Sequence, residues 1–167
     1  MMKKRLYLFL GLALSLLAVF TLTACGSKQT ESVSYQRISD NDDSRETLYF
    51  KEGSDEMIKQ VTVYTVTYQG MEVAGKDEAK DLFENDIYRA YKNLDGVDLS
   101  FDYSDTKATM TMVLDYAKVD LSQLADADEN PDLKQADYLS IKQTEENLKN
   151  AGFEKVTDNK FQELQNQ

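Results

Sequence analysis

One thiol, thirty carboxylates and no imidazole define the chemistry open to this 167-residue chain. The absence of histidine excludes Ser-His-Asp and Cys-His nucleophile systems, His-ligated zinc and the commonest general base near neutral pH. Catalysis would have to rest on carboxylates, Tyr, Lys or Ser, or on a metal held by oxygen alone. No phosphate-cradling loop occurs, and no cofactor is expected. The run Asp126-Ala127-Asp128-Glu129-Asn130-Pro131-Asp132 sets oxygen ligands at alternate positions, as a calcium loop does. Pro131 stands where such a loop turns on glycine, and Asp137 replaces glutamate at its twelfth position. Asp40, Asp42 and Asp43 form a second, less patterned acidic cluster. Asp98 and Asp102 would share one face of a strand ~13 Å apart, beyond the ~5 to 9.5 Å of paired carboxylates in glycoside hydrolysis. Asp98 and Asp115 could approach each other across a hairpin. Solvated acidic surface is the simpler reading of all these groups, so no catalytic or metal-binding residue is assigned.

The thiol belongs to Cys25, which follows Leu22-Thr23-Ala24. Lys3, Lys4 and Arg5 and then an apolar run from Leu6 to Leu22 precede it, the order of a secretory signal. The four residues Leu22 to Cys25 resemble the lipobox of bacterial lipoproteins. That resemblance implies a diacylglyceryl group on the Cys25 sulfur, cleavage before it and a mature chain beginning there. An uncleaved membrane span is the competing reading, since the apolar run nears the ~18 to 20 residues a span needs. Thr21, Thr23, Ala24 and Cys25 stand where a stop-transfer segment would carry Lys or Arg, and Gly26, Ser27 and Lys28 are too polar to surround a buried thiol. Residues 1–24 are therefore expected to be a lipoprotein signal peptide. Residues 25–44 would hold the lipidated cysteine, a flexible tether and a first strand.

Residues 1–24 contain three of the 19 basic residues and none of the 30 acidic ones, which leaves the mature chain at about −14. Such a surface repels polyanions, so nucleic acid is excluded as a partner. It also repels anionic head groups, so lipid on Cys25 must hold the protein at the outer face of the cytoplasmic membrane. A single cysteine permits no intramolecular disulfide, although export leads to an oxidising compartment.

Strand and helix periods then define the elements. Val33 to Ile38, Glu46 to Lys51 and Ile58 to Tyr68 read as strands, with Ser39 to Ser44 as a turn. From Asp77 to Asn93, Ala79, Leu82, Phe83, Ile87, Ala90 and Tyr91 recur at helical spacing. Val97, Leu99, Phe101 and Tyr103, then Ala108, Met110, Met112, Leu114 and Tyr116, alternate with polar residues on either side of a tight turn, which predicts an antiparallel hairpin. Asp120 to Gln135 reads as an acidic loop with at most a turn of helix. Ser140 and Gln143 form a capping box for a helix ended by Gly152. Phe153 to Val156 would add an edge strand, and residues 158–167 a frayed tail. Tyr49, Tyr64, Tyr68, Tyr103 and Tyr116 fall in strands, where core packing is a better reading than a stacking surface for sugar or peptide. The expected fold is α+β, a two-layer sandwich with two helices packed on one face of an antiparallel sheet.

Ser140 to Val156, Gly75-Lys76-Asp77-Glu78-Ala79-Lys80 and Leu114-Asp115-Tyr116 make residues 45–157 resemble the YehR-like family of small bacterial lipoproteins. The resemblance implies an α/β domain on a lipid anchor and transfers no site residues. The expectation is a non-enzymatic envelope protein that binds an unknown protein or small ligand. A carboxylate-based hydrolase of cell-wall polymer and a cation-binding module are the alternatives.

Overall fold

The computed structural model describes residues 29–158 and 160–164. Cys25, the signal and residues 26–28 of the tether lie outside them. Six strands form one antiparallel sheet: β1 Thr30–Ile38, β2 Asp42–Lys51, β3 Met57–Thr67, β4 Val97–Tyr103, β5 Lys107–Asp115 and β6 Glu154–Val156. Their spatial order is β4-β5-β3-β2-β1-β6. The chain runs as a meander through β1, β2 and β3, skips a place to β4 and returns through β5. It then crosses to the far edge, where three-residue β6 closes the sheet with little exposed ladder.

Three α-helices, not two, accompany the sheet among the described residues: α1 Lys76–Asp81, α2 Leu121–Ala127 and α3 Ile141–Asn150. The additional helix, α2, lies in the stretch expected as an acidic loop. Asp120 caps it by accepting from Ser122 N at 2.8 Å, and Leu124 and Ala125 are its buried side. The β1–β2 turn is also tighter than composition suggests, because β2 begins inside the acidic run at Asp42. Gly96 opens the approach to β4 with φ +78°, and a Cβ there would meet Val119 N at 2.8 Å and Asp115 O at 2.9 Å.

The expected single helix over 77–93 is broken. α1 passes into a π-helical segment, Leu82–Ile87, and a 3-10 turn, Arg89–Tyr91. The widened turn is closed by Tyr88 N donating to Phe83 O, five residues back. One extra residue advances the phase, so Tyr88 turns inward while Ile87, expected in the core, is 48 % exposed. Phe83 and Tyr88 rings meet edge to face at 5.4 Å between centroids.

Three apolar clusters result. Ala79 and Phe83 pack with Val66, Tyr68, Ala108 and Met110. Ile141 of α3 packs with Val33, Tyr35, Leu48 and Met57. Leu124 of α2 packs with Leu114 and Val119. The capping box of α3 forms by its serine half: Gln143 N donates to Ser140 Oγ at 3.1 Å, and Ser140 Oγ donates to Asp55 Oδ2 at 2.7 Å. Ser140→Ala is expected to cost about 1 kcal/mol of stability, read as a lower denaturation midpoint. An unchanged midpoint would mean that Asp55 alone holds the helix start.

The tail is docked where fraying was expected. Gln162 N donates to Gln36 Oε1 at 2.9 Å, and Gln36 Nε2 and Arg45 Nη2 return bonds to Gln162 O at 2.8 and 2.9 Å. Leu164 is buried.

Candidate functional site

None of the carboxylate groupings picked out by spacing comes together as a site. Asp126 sits on α2 and pairs with Lys134 at 2.6 Å; Asp128 accepts from the Tyr91 hydroxyl; Asn130 caps the 3-10 turn Pro131–Gln135. Among the described residues no group of three or more His, Cys, Asp or Glu is placed to hold a metal ion. Asp43 is buried against Arg45, Asp42 accepts from Ser39, and Asp40 is exposed. Asp98 and Asp102 lie exposed on β4, and Asp115 is held by Lys118 at 2.8 Å. The Lys118 hydrogen bond, assisted by the Ala117 N–H, keeps the Asp115 carboxyl below its ordinary range. Of the tyrosines, Tyr64, Tyr68, Tyr103 and Tyr116 join the apolar clusters, while Tyr49 stacks under Lys59 with Nζ 5.1 Å from the ring centre.

The structure does assemble a site that spacing did not suggest. Where the three apolar clusters adjoin, a cleft of about 700 Å³ opens between the middle of the sheet and the α2–α3 segment. Register explains its polar floor. Glu46 of β2 lies opposite Thr62 of β3, and Thr62 lies opposite Met112 of β5. Along these strands the same face carries Leu48, Tyr64, Val66, Met110 and Leu114, so Ser44, Glu46, Gln60 and Thr62 form a polar patch within an apolar surface. Met57, Met110, Met112, Leu124 and Leu133 supply the apolar walls, and Gln143, Thr144 and Asn147 of α3 a polar rim.

Glu46 is the chemical centre. It is 8 % exposed, and its Oε2 accepts from Thr62 Oγ1 at 2.7 Å and Gln60 Nε2 at 3.0 Å. The Gln60 amide is oriented in turn by the Tyr116 hydroxyl, which donates to Gln60 Oε1 at 2.7 Å. Among the described residues Oε1 of Glu46 has no hydrogen-bond partner, and Glu46 lines the cleft. Burial pushes the carboxyl up to about 7, against the opposing pull of the bonds from Thr62 and Gln60. Burial, then the neighbouring Tyr64 and Glu46, push the Tyr88 phenol up to about 12. The site therefore holds a carboxylate poised near neutrality among un-ionised phenols. Asp128 and Asp132 of the acidic run line the same cleft, Asp128 accepting from the Tyr91 hydroxyl. The signal for Glu46 lay in its phase: two residues before Leu48 and four before Phe50, it occupies an inward position of its strand.

The sequence matches, over residues 31–154, the family model described as "Protein of unknown function (DUF1307)". It is 31 % identical over 138 residues to the uncharacterized lipoprotein Lin0239 of Listeria innocua, covering 81 % of this chain and 86 % of that one. It is 27 % identical over 150 residues to the uncharacterized lipoprotein YehR of Escherichia coli, covering 87 % and 94 %. The NMR structure of Escherichia coli YehR superposes with a TM-score of 0.66 at 25 % identity, over 77 % of this chain and 92 % of that chain.

Proposed function

Since the chain belongs to the DUF1307 family and its relatives include named lipoproteins, we propose that it is a lipid-anchored envelope protein whose domain binds a ligand in the cleft over Glu46. Anchorage falls to Cys25, at the outer face of the cytoplasmic membrane. Among the described residues no helix is long and apolar enough to cross a membrane. Four residues separate Cys25 from β1, about 15 Å of chain at full extension, which would hold the domain close to the bilayer. The arrangement supports a two-layer reading, with sheet as one layer and the helices as the other, and a cleft left where the layers part.

The observation that carries the binding reading is the cleft itself. Its volume suits a small ligand, and its lining divides evenly between apolar or aromatic residues and polar ones, several of which converge on the floor. Binding is favoured over a carboxylate-based hydrolase because Asp128 is engaged by the Tyr91 hydroxyl and Glu46 by Thr62 and Gln60, so each carboxylate is held by its own donors. The test has two parts. Intact mass of membrane-extracted protein is expected to begin at Cys25 and to carry lipid, and Cys25→Ala is expected to lose both features; an unlipidated mass would overturn the anchor. The full chain in lipid nanodiscs is expected to bind the neutral probe N-phenyl-1-naphthylamine at one saturable site, with empty nanodiscs as blank. Thr62→Phe, which fills the floor, should abolish that binding with the circular dichroism spectrum unchanged. Binding that survives Thr62→Phe would move the ligand site elsewhere.

A further inference from the structure

The cleft over Glu46 has a charge pattern that selects among ligands. Three carboxylates line it, Glu46, Asp128 and Asp132, against the single guanidinium of Arg37. That guanidinium is already engaged, 5.0 Å from the centre of the Phe153 ring and donating to Ala151 O at 3.4 Å. Among the described lining residues an anion would therefore meet three carboxylates against one guanidinium already drawn to Ala151 O and the Phe153 ring. A neutral apolar molecule would gain contact with Met110, Met112 and Leu133 but leave Oε1 of Glu46 unpaired. A buried carboxylate with one free oxygen is instead completed by an N–H donor that carries positive charge. The aromatic faces of Tyr64, Tyr88 and Tyr116 add favourable surface for such a group.

Resting on the reading of this cleft as the ligand site, we propose that its ligand is an organic cation. The ligand is a protonated amine on an apolar body, with the ammonium against Oε1 of Glu46 and the body between the methionines and Leu133. Only the ionised form of Glu46 forms the pair, so affinity follows its protonation. The other ionisable groups around the cleft are arginine, aspartate and tyrosine, Tyr138 at the rim included. Glu46 is the lining group that burial brings into the window between pH 5.5 and 8.

The experiment is calorimetric titration of the full chain in zwitterionic nanodiscs, with empty nanodiscs as blank. It uses three probes of one shape: phenethylammonium, 2-phenylethanol and 3-phenylpropionate. At pH 8 the ammonium is expected to bind at least about tenfold tighter than the alcohol, and the carboxylate more weakly than either. At pH 5.5, below the Glu46 midpoint of about 7, ammonium affinity should fall about thirtyfold while the alcohol is unchanged. Glu46→Gln should erase the preference for the ammonium and its pH dependence while keeping the alcohol. Equal affinity for ammonium and alcohol, or a preference for the carboxylate, would overturn the cation assignment and leave the ligand site standing. Failure of all three probes while N-phenyl-1-naphthylamine still binds would do the same. Failure of every probe would overturn the site as well.

Discussion

Glu46→Gln is expected to stabilise the protein at pH 8 by about 3 kcal/mol, about 10 °C in melting temperature, and to change it little at pH 4. The sign follows from the direction of the shift. In the unfolded chain a glutamate releases its proton near 4.3, whereas folded Glu46 holds its proton to about 7. Between those values the unfolded state is the more ionised, so its free energy falls relative to the fold as pH rises. Below about 4.3 both states are protonated and Glu46 contributes no penalty; above about 7 the full penalty is present. The difference of roughly 2.5 units corresponds to about 3 kcal/mol. Glutamine keeps an oxygen to accept from Thr62 and carries no charge to desolvate, so the variant should lose this pH dependence. Thermal melts of both proteins at pH 4, 6 and 8 check it. Equal stabilities at pH 8 would mean that Glu46 is better solvated than its 8 % exposure indicates. A residue that costs this much in the empty protein is the kind retained where binding needs it. A bound cation would offset the same penalty, so ligand and substitution should stabilise non-additively.

What the sequence made legible is what local period determines. The hairpin of β4 and β5 could be read directly because both strands alternate cleanly, and the register puts Leu99 opposite Met112 and Phe101 opposite Met110. The start of α3 was legible because Ser140 caps it within four residues. The YehR-like resemblance also held, with the family match spanning residues 31–154. The misses have a common physical form. Tyr88 replaces Ile87 in the core because a π-helical turn inserts one residue, and the spacing of Ala79, Leu82 and Phe83 does not encode that step. Glu46 was legible as a strand residue, but its role depends on Gln60 and Thr62, fourteen and sixteen residues away, in a strand whose alternation is imperfect. The docking of the tail depends on Gln36, 126 residues before Gln162. Its local trace was only Phe161 and Leu164, three residues apart in a polar run.

That docking rests on the buried Asp43–Arg45 pair, and Arg45→Ala is expected to cost about 3 kcal/mol and to release the tail. Asp43 is 2 % exposed and accepts from Arg45 Nε at 2.8 Å and Gln36 Nε2 at 2.8 Å, with Arg45 Nη2 2.6 Å from the same carboxylate. Removing Arg45 leaves a buried carboxylate facing one neutral donor, which costs more than the pair itself contributes. The loss is set at the lower end of the range for buried pairs because the Arg45 side chain is 21 % exposed. Arg45 also binds Gln162 O, pairs with Glu163 at 3.3 Å and lies over the Phe161 ring at 5.0 Å, so three tail contacts go with it. Gln36, through Gln162, and the buried Leu164 would then have to hold the tail. Urea denaturation should show the loss, and carboxypeptidase should trim the variant past Leu164 where the parent resists. If the orphaned charge is the cause, Asp43→Asn added to Arg45→Ala should recover more than half of the stability and leave the tail loose. If the double variant is as unstable as the two single losses combined, burial of the Asp43 charge is not what makes Arg45 necessary, and the tail contacts themselves carry the effect.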